Sequence, residues 1–365
     1  MRSRIDGKAF VRDTMSGRWR ATLQIETLTI PDTIQGVIMA RVDRLGEELK
    51  QVLRTASVIG RSFLYRILHA IEQAVQELDR HLDDLQSMEL IREKQRIPEL
   101  EYIFKHALTQ EVAYNSLLLK RRKEIHEKIG RAIEEIYPDR LEEFYEMLAY
   151  HYSKSDNLDK ACQYLKLSGK KAVRSYSNLE AFHFYKDAIG ILKQKPETEQ
   201  NKKERLEVIL LMDIPMRLSA YPEDPLKFLE EGERLCKELG DKKSLAAISN
   251  FIGLFHVVTG DPTLGRKYQE ASFEEAEKIQ DIETMAPVGW GLCYSYFWEG
   301  EYRRIVNIAP KVIKSLEKTQ REDEFFGLPI NIYSALQAVY GYSLGSLGEF
   351  TKGEQLCEKA LSFAH

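Results

Sequence analysis

The stretch Tyr102-Ile103-Phe104-Lys105-His106-Ala107-Leu108-Thr109-Gln110-Glu111-Val112-Ala113-Tyr114, followed by Arg121-Arg122-Lys123-Glu124-Ile125-His126, decides how this 365-residue chain is read. It opens as a short apolar strand, passes through a lone histidine and continues as a helix. That order marks a junction between a small mixed domain and a long helical one.

Upstream, two β-like runs, Ala9 to Arg12 and Trp19 to Ile25, flank Asp13-Thr14-Met15-Ser16-Gly17, whose turn chemistry predicts a hairpin. Pro31-Asp32-Thr33 then opens a helix. Asp32 or Thr33 can cap it, and Ile34, Val37, Ile38, Val42 and Leu45 fall on one face. Further helices are predicted over Glu47 to Val58 with Gly60 as the stop, Phe63 to Ile71, and Val75 to Met88 with Leu78, Leu82 and Leu85 inward. Leu90 to Lys94 and Tyr102 to Phe104 read as strands joined by a loop holding Pro98. Helices followed by a two-stranded wing are the outline of a winged helix.

Beyond Tyr137-Pro138 the strand signals largely vanish, and paired amphipathic helices take over with a charged break at Lys193 to Lys203. Gly260-Asp261-Pro262, Gly300-Glu301-Tyr302 and Gly348-Glu349-Phe350 each follow an aromatic-rich helix and precede an amphipathic one. They resemble the turn between helices A and B of a tetratricopeptide repeat. Seven positions before each glycine stand Gly253, Cys293 and Gly341; twelve after stand Ser272, Val312 and Ala360. Small residues occupy two of three at each position. The turns are 40 and then 48 residues apart, so the repeats are elongated and irregular. Two earlier units, Tyr145 to Ser168 and Ala172 to Ala188, look related, but Leu158 to Ser175 serves equally as helix B of one or helix A of the next. Such pairs stack because one pair cannot bury its own apolar stripe. The expected fold is mainly α: a β-hairpin over 1–30, a winged-helix domain over 31–137, and an α-α superhelix over 138–365.

A net charge of -4 argues against general attraction to nucleic acid. No apolar run is long enough for a bilayer; Val208 to Met212 is among the longest and meets Asp213. Cys162, Cys236, Cys293 and Cys357 have no close neighbour among themselves, which fits neither a zinc site nor a disulfide framework. A reduced, cytoplasmic protein is expected. Gly7-Lys8 and Gly169-Lys170 lack the first glycine and the following Ser or Thr of a phosphate-binding loop. No HExxH, EF-hand, GxSxG or GxGxxG motif is present, and the eight histidines are isolated. No enzyme and no cofactor are expected of this chain.

Several residues admit two readings. His106, at a helix start, can donate to an anion beside the free N–H groups there, or it can be a half-buried capping residue. Lys120, Arg121, Arg122 and Lys123 can meet phosphates or an acidic partner, or form a solvated helix start diluted by Glu124 and Glu127. Trp290, Tyr294, Tyr296, Phe297 and Trp298 can line a ligand groove or pack between helices. The third helix of the winged outline carries Glu77, Asp79, Asp83 and Asp84 against Arg80 alone. A phosphate backbone would repel it, which favours protein packing over DNA binding.

Ile30-Pro31-Asp32-Thr33-Ile34 through Arg41-Val42-Asp43-Arg44-Leu45, then Ala56 to Phe63, resembles the region after the ATPase core of bacterial STAND-type signalling ATPases. Phe104-Lys105-His106-Ala107-Leu108, Val112-Ala113-Tyr114, Arg122 with Ile125-His126, Ser177 to Ala181 and Leu235 to Asp241 continue that pattern. The chain is most similar to the subgroup in which a class III adenylate/guanylate cyclase domain and the ATPase precede tetratricopeptide repeats.

The resemblance implies a winged helix that folds onto a nucleotide domain, with His106 at the position that can contact the ADP β-phosphate. It implies ATP or ADP and Mg in the intact family form, a P-loop ATPase domain as one partner and a protein partner on the repeats. Those ATPase and cyclase segments would lie before Met1, which suggests a truncated gene product or one part of a split system; the last repeat stops at Ala364-His365 without a clear capping helix. The competing expectation is a DNA-binding winged-helix regulator with a tetratricopeptide sensor.

Overall fold

The structure, a computed structural model, describes residues 10–12, 19–21, 32–72, 77–222 and 224–363. The turn expected at 13–17, the packing of Ile34 and Val37, and the chain end at 364–365 lie outside the described residues. The chain divides into two units, Met1–Phe144 with Lys154–Asp156, and Tyr145–Ser153 with Asn157–His365.

In the first unit β1 (Phe10–Arg12) and β2 (Trp19–Ala21) pair antiparallel, with Phe10 opposite Ala21 and Arg12 opposite Trp19. Helix α1 spans Asp32–Asp43; Val42 near its end is fully buried, and Leu45 just beyond it is also inside. Helix α2 (Glu47–Ile59) buries Leu49, Val52, Leu53 and Ala56 on one stripe at helical spacing and ends at Gly60, whose φ of 152° is costly for a residue with a Cβ.

The stretch expected as one helix from Phe63 divides in two: β3 (Ser62–Leu64) and then α3 (Tyr65–Ile71). After α4 (Leu78–Ser87) come β4 (Ile91–Gln95) and β5 (Glu101–Phe104), which give a three-stranded antiparallel sheet of order β3-β5-β4 instead of a lone hairpin. Pairing decides the conformation of Phe63. It lies opposite Tyr102, and its ring stacks on Tyr102 and meets Phe104 edge-on, each with centroids 5.8 Å apart. Two long-range backbone bonds close the strand, Phe104 N–H to Arg61 at 2.9 Å and Tyr65 N–H to Leu100 at 2.9 Å. A three-residue segment takes its conformation from such partners rather than from local periodicity. Leu78, Leu82 and Leu85 of α4 face inward as expected. Helices α5 (Ala107–Asn115) and α6 (Leu119–Ile136) follow, and a 3-10 segment over Pro138–Phe144 ends the unit.

The second unit is helical throughout its described residues: α7 (Tyr145–Ser153), α8 (Leu158–Arg174), α9 (Asn178–Leu192), α10 (Glu199–Leu211), α11 (Asp213–Leu218), α12 (Pro225–Leu239), α13 (Lys242–Thr259), α14 (Pro262–Ile279), α15 (Ile282–Glu299), α16 (Tyr302–Thr319), α17 (Ile332–Ser346) and α18 (Phe350–Ser362). Helix α8 packs on both α7 and α9, so its double role is real. Between α9 and α10 the charged break shrinks to 193–198, because Asn201 on α10 donates to the carbonyls of Leu192 and Pro196 at 2.9 Å each.

The three repeat turns are alike in their hydrogen bonds. Asp261 N–H reaches His256 at 2.8 Å, Glu301 N–H reaches Tyr296 at 2.9 Å, and Glu349 N–H reaches Leu344 at 2.9 Å. Gly260 and Gly300 directly follow their helices, Gly348 stands one residue further on after Leu347, and all three have positive φ. The paired helices then approach as their small residues allow. A Cβ on Gly265 would lie 2.5 Å from the Gly253 carbonyl oxygen, and one on Gly353 would lie 2.7 Å from that of Gly341. In the middle repeat Cys293 and Ile305 stand at the matching positions, both fully buried. Outer helices are linked by ion pairs 34 residues apart in sequence, Glu270 with Arg304 at 2.5 Å and Glu277 with Lys311 at 2.7 Å.

Candidate functional site

The sequence singled out three places, and the structure treats each differently. His106 stands at the strand-to-helix junction, between β5 and α5, in extended backbone. Its side chain is exposed and makes no capping hydrogen bond. Beside it Lys105 pairs with Glu89 at 2.7 Å, and that hydrogen bond holds the Glu89 carboxyl below the usual carboxylate range.

The basic run at the start of α6 does not form one patch. Arg121 pairs with Glu124 at 3.0 Å, and Lys123 pairs with Asp156 at 2.6 Å. Arg122 lies over the Tyr114 ring, 4.9 Å from its centroid, and only Lys120 and Arg121 are largely exposed. Around Arg122 the chain assembles a buried cluster instead. Tyr114 on α5 shares a hydrogen bond of 3.2 Å with Nε2 of His126, which is fully buried. Burial, with the charges of Lys154 and Arg122 acting in the same direction, lowers the His126 pKa from 6.5 to about 4. The imidazole is therefore neutral in the folded chain at pH 7. The tyrosine and histidine are twelve residues apart on different helices, so helical spacing alone does not announce the pair.

The aromatic run 290–298 divides by helical face. Tyr296 points into the core, and its hydroxyl donates to Glu270 at 2.6 Å. Phe297 packs edge-on against Tyr302 and Tyr342. Trp290 and Tyr294, one turn apart, line an open cavity of about 1200 Å3. Tyr296 thus packs in the core, whereas Trp290 and Tyr294 reach the cavity on another face of α15.

Helices α13 and α15 form the main walls of that cavity, through Phe251, Leu254, Phe255 and Val258 on one and Pro287, Trp290 and Tyr294 on the other. The segment between α11 and α12 adds Tyr221, and the segment between α16 and α17 adds Leu328 and Ile330. The inner helices are almost free of charge. Helix α13 has no Asp, Glu, Lys or Arg after Lys243, α15 has none between Glu283 and Glu299, and α17 has none at all. Their partners α14 and α16 carry the charged residues.

Asp224, Lys227, Glu230 and Thr259 also line the cavity, and polar groups reach it at three further points. Asn250, only 3% exposed, receives a hydrogen bond on Oδ1 from Gln269 at 3.4 Å, and Ser295 in turn donates to Gln269. Gly291 makes room for that amide, since a Cβ there would stand 2.6 Å from Asn250 Oδ1. Arg217 is held by Asp213 through Nε at 3.0 Å and Nη2 at 2.7 Å. Burial pushes the Asp213 carboxyl up while Arg217 opposes the shift. The third point is the Tyr221 hydroxyl, which is buried and has no hydrogen-bond partner among the described residues. Burial and the nearby Asp213 raise its pKa well above 10. Its ring meets Phe255 edge-on at 5.1 Å.

No family model matches the chain, and no curated protein matches it. Solved structures similar to it are built from helical repeats. A STAND ATPase with a tetratricopeptide repeat sensor from Pyrococcus horikoshii is 11% identical at a TM-score of 0.39, covering 91% of this chain and 64% of that one. A Rap protein complexed with competence and sporulation factor is 10% identical at 0.42, covering 92% and 98%. The BtubC protein of P. vanneervenii is 13% identical at 0.45, covering 68% and 91%. At these scores the nature of the repeats is read from the chain's own turns and helices.

Proposed function

We propose that this chain is a non-catalytic regulatory and protein-binding module of a STAND-type signalling system. Residues 31–137 act as a winged helix that restrains a P-loop ATPase domain, and the repeats of 138–365 bind a protein partner. The observation that carries this reading is the cavity walled by the uncharged faces of α13 and α15. Mainly apolar, aromatic walls, with charges of both signs at Arg217, Asp224, Lys227 and Glu230, suit a protein or peptide segment and not a phosphate backbone. The sheet order β3-β5-β4, with α3 and α4 between β3 and β4, supports the winged-helix part. The exposure of His106 at the wing-to-helix junction supports a contact with a nucleotide held by another domain. ATP, ADP and Mg belong to that domain in this reading. Partner binding on the repeats would act by population shift, favouring the state in which the winged helix is released.

The test has two arms. The chain is mixed with an ADP-loaded STAND ATPase domain and ADP release is timed; slower release that returns to the unassisted rate in His106→Ala supports the restraint, and no change overturns it. Cross-linking and mass spectrometry on the captured partner should place contacts on α13, α15 and α17. A DNA-binding regulator would expose cations on α4, whereas Asp79 and Asp83 are exposed there and Arg80 is paired with Glu77 at 2.8 Å. A gel shift that survives at roughly physiological salt would favour that alternative.

A further inference from the structure

We propose that the recess between the end of α14, the start of α15 and the C-terminal half of α16 binds a small phosphate monoester through the ammonium groups of Lys311, Lys314 and Lys318. The recess shares no lining residue with the cavity between α13 and α15, and the proposal does not depend on the partner-binding reading of the repeats.

A break in the pattern of ion pairs marks the place. Arg304 of α16 meets Glu270 of α14, and Lys311 meets Glu277, each pair 34 residues apart. Carried on to Lys314, the same interval falls on Gln280, an amide where a carboxylate would continue the series. Lys314 and Lys318 are exposed, and neither forms an ion pair among the described residues. They stand at i and i+4 on α16, where like charges repel. Glu317 does not relieve them, because it accepts from Lys359 at 3.0 Å and from the Tyr333 hydroxyl at 2.6 Å. The helix end favours a cation only within its last turn, which serves Lys318 but neither Lys311 nor Lys314.

Charge balance selects the ligand. Three ammonium groups line the recess against one carboxylate, that of Glu277, which leaves two positive charges over. A phosphate monoester carries roughly -1.5 to -2 at pH 7, whereas each diester of a nucleic acid carries only a single charge. Lysine meets such a group as a point charge, so flexible side chains suffice. The Ser315 hydroxyl and the Gln280 amide add uncharged donors. That of Ser315 has no hydrogen bond to a described residue, while the Thr319 hydroxyl is committed to the Ser315 carbonyl at 2.9 Å. Ile282 and Met285 supply an apolar stretch of wall. The recess holds about 410 Å3, within the roughly 300–1,000 Å3 of small-molecule sites. An organic ester group can therefore lie on those two side chains while its phosphate faces the lysines.

The test titrates the full chain with phenyl phosphate by calorimetry at constant ionic strength. Saturable binding is expected, about tenfold tighter than that of the diester methyl phenyl phosphate. Lys314→Gln and Lys318→Gln should each weaken it about tenfold. Without ligand their thermal midpoints should stay level or rise, because a like-charge contact is removed. Arg303→Gln, an exposed cation on the same helix outside the recess, should leave binding unchanged. The proposal is overturned if phenyl phosphate does not saturate or if the diester binds equally well. An equal loss in Arg303→Gln would overturn it in favour of general surface attraction. Vesicles of phosphatidylcholine and phosphatidic acid should not sediment the chain. If they do while phenyl phosphate fails to saturate, the small-ester site is overturned in favour of a lipid headgroup.

Discussion

The hydroxyl of Tyr114 and Nε2 of His126 lie 3.2 Å apart and tie helix 107–115 to helix 119–136 inside the first unit. Because burial holds the imidazole neutral, this contact makes the unit acid-sensitive. The unfolded chain takes up the proton near pH 6.5 and the folded chain only near pH 4. Between those values protons favour the unfolded chain, so the stabilisation is complete above pH 6.5 and is lost as the pH falls toward 4. At pH 5 the loss is about 2 kcal/mol. Urea midpoints at pH 7.5 and pH 5 should separate more for the native chain than for His126→Phe. Equal separation would show that another group governs the acid limb.

The basic run should respond unevenly to truncation. Arg122→Ala removes the cation over the Tyr114 ring and should cost about 1 kcal/mol. Lys120→Ala, on an exposed side chain, should change stability by less than about 0.5 kcal/mol. Equal effects in denaturant titrations would mean the four cations act as one unit.

Glycines of the repeats fall into two classes. Gly265→Ala drives a Cβ against the Gly253 carbonyl oxygen, backbone that cannot rotate away, and should destabilise by about 2 kcal/mol. Gly190→Ala, inside α9 with open space around it, should stabilise by up to about 1 kcal/mol. Thermal melts of the two variants should move in opposite directions.

Thiol labelling should separate the four cysteines. Burial pushes the thiols of Cys236 and Cys293 up to about 12 and raises that of Cys162, whereas Cys357 is only half-buried. Iodoacetamide at neutral pH should modify Cys357 first, with the other three reacting after denaturation. Early labelling of Cys293 by peptide mass mapping would contradict the packing of the middle repeat pair.

The parts of the fold written in local chemistry were legible in the sequence. The Gly-acid turns at 260, 300 and 348 announced themselves because a left-handed residue and a helix start are adjacent in the chain. The inward leucines of α4 and the strand-His106-helix order were read for the same reason. Phe63 was not, because its strand exists only through pairing with Tyr102, 39 residues away. The candidate site was half visible. Helical spacing showed that Trp290 and Tyr294 share a face, and the lack of charge between Glu283 and Glu299 was a signal available in the sequence. Tyr221, Asn250 and Leu328 come from three separate segments, and only packing brings them to one cavity.

The connection between α16 and α17 runs over 320–331, twelve residues where the preceding repeat manages with the two at 280–281. Its length is the main source of the uneven repeat interval, and Leu328 and Ile330 within it complete the cavity wall. Irregular periodicity in this chain is therefore a building device: a solenoid of uniform period would present an open face there. Trimming this one connection would unroof the cavity without touching a helix, so the shape of the site can evolve independently of the scaffold that carries it.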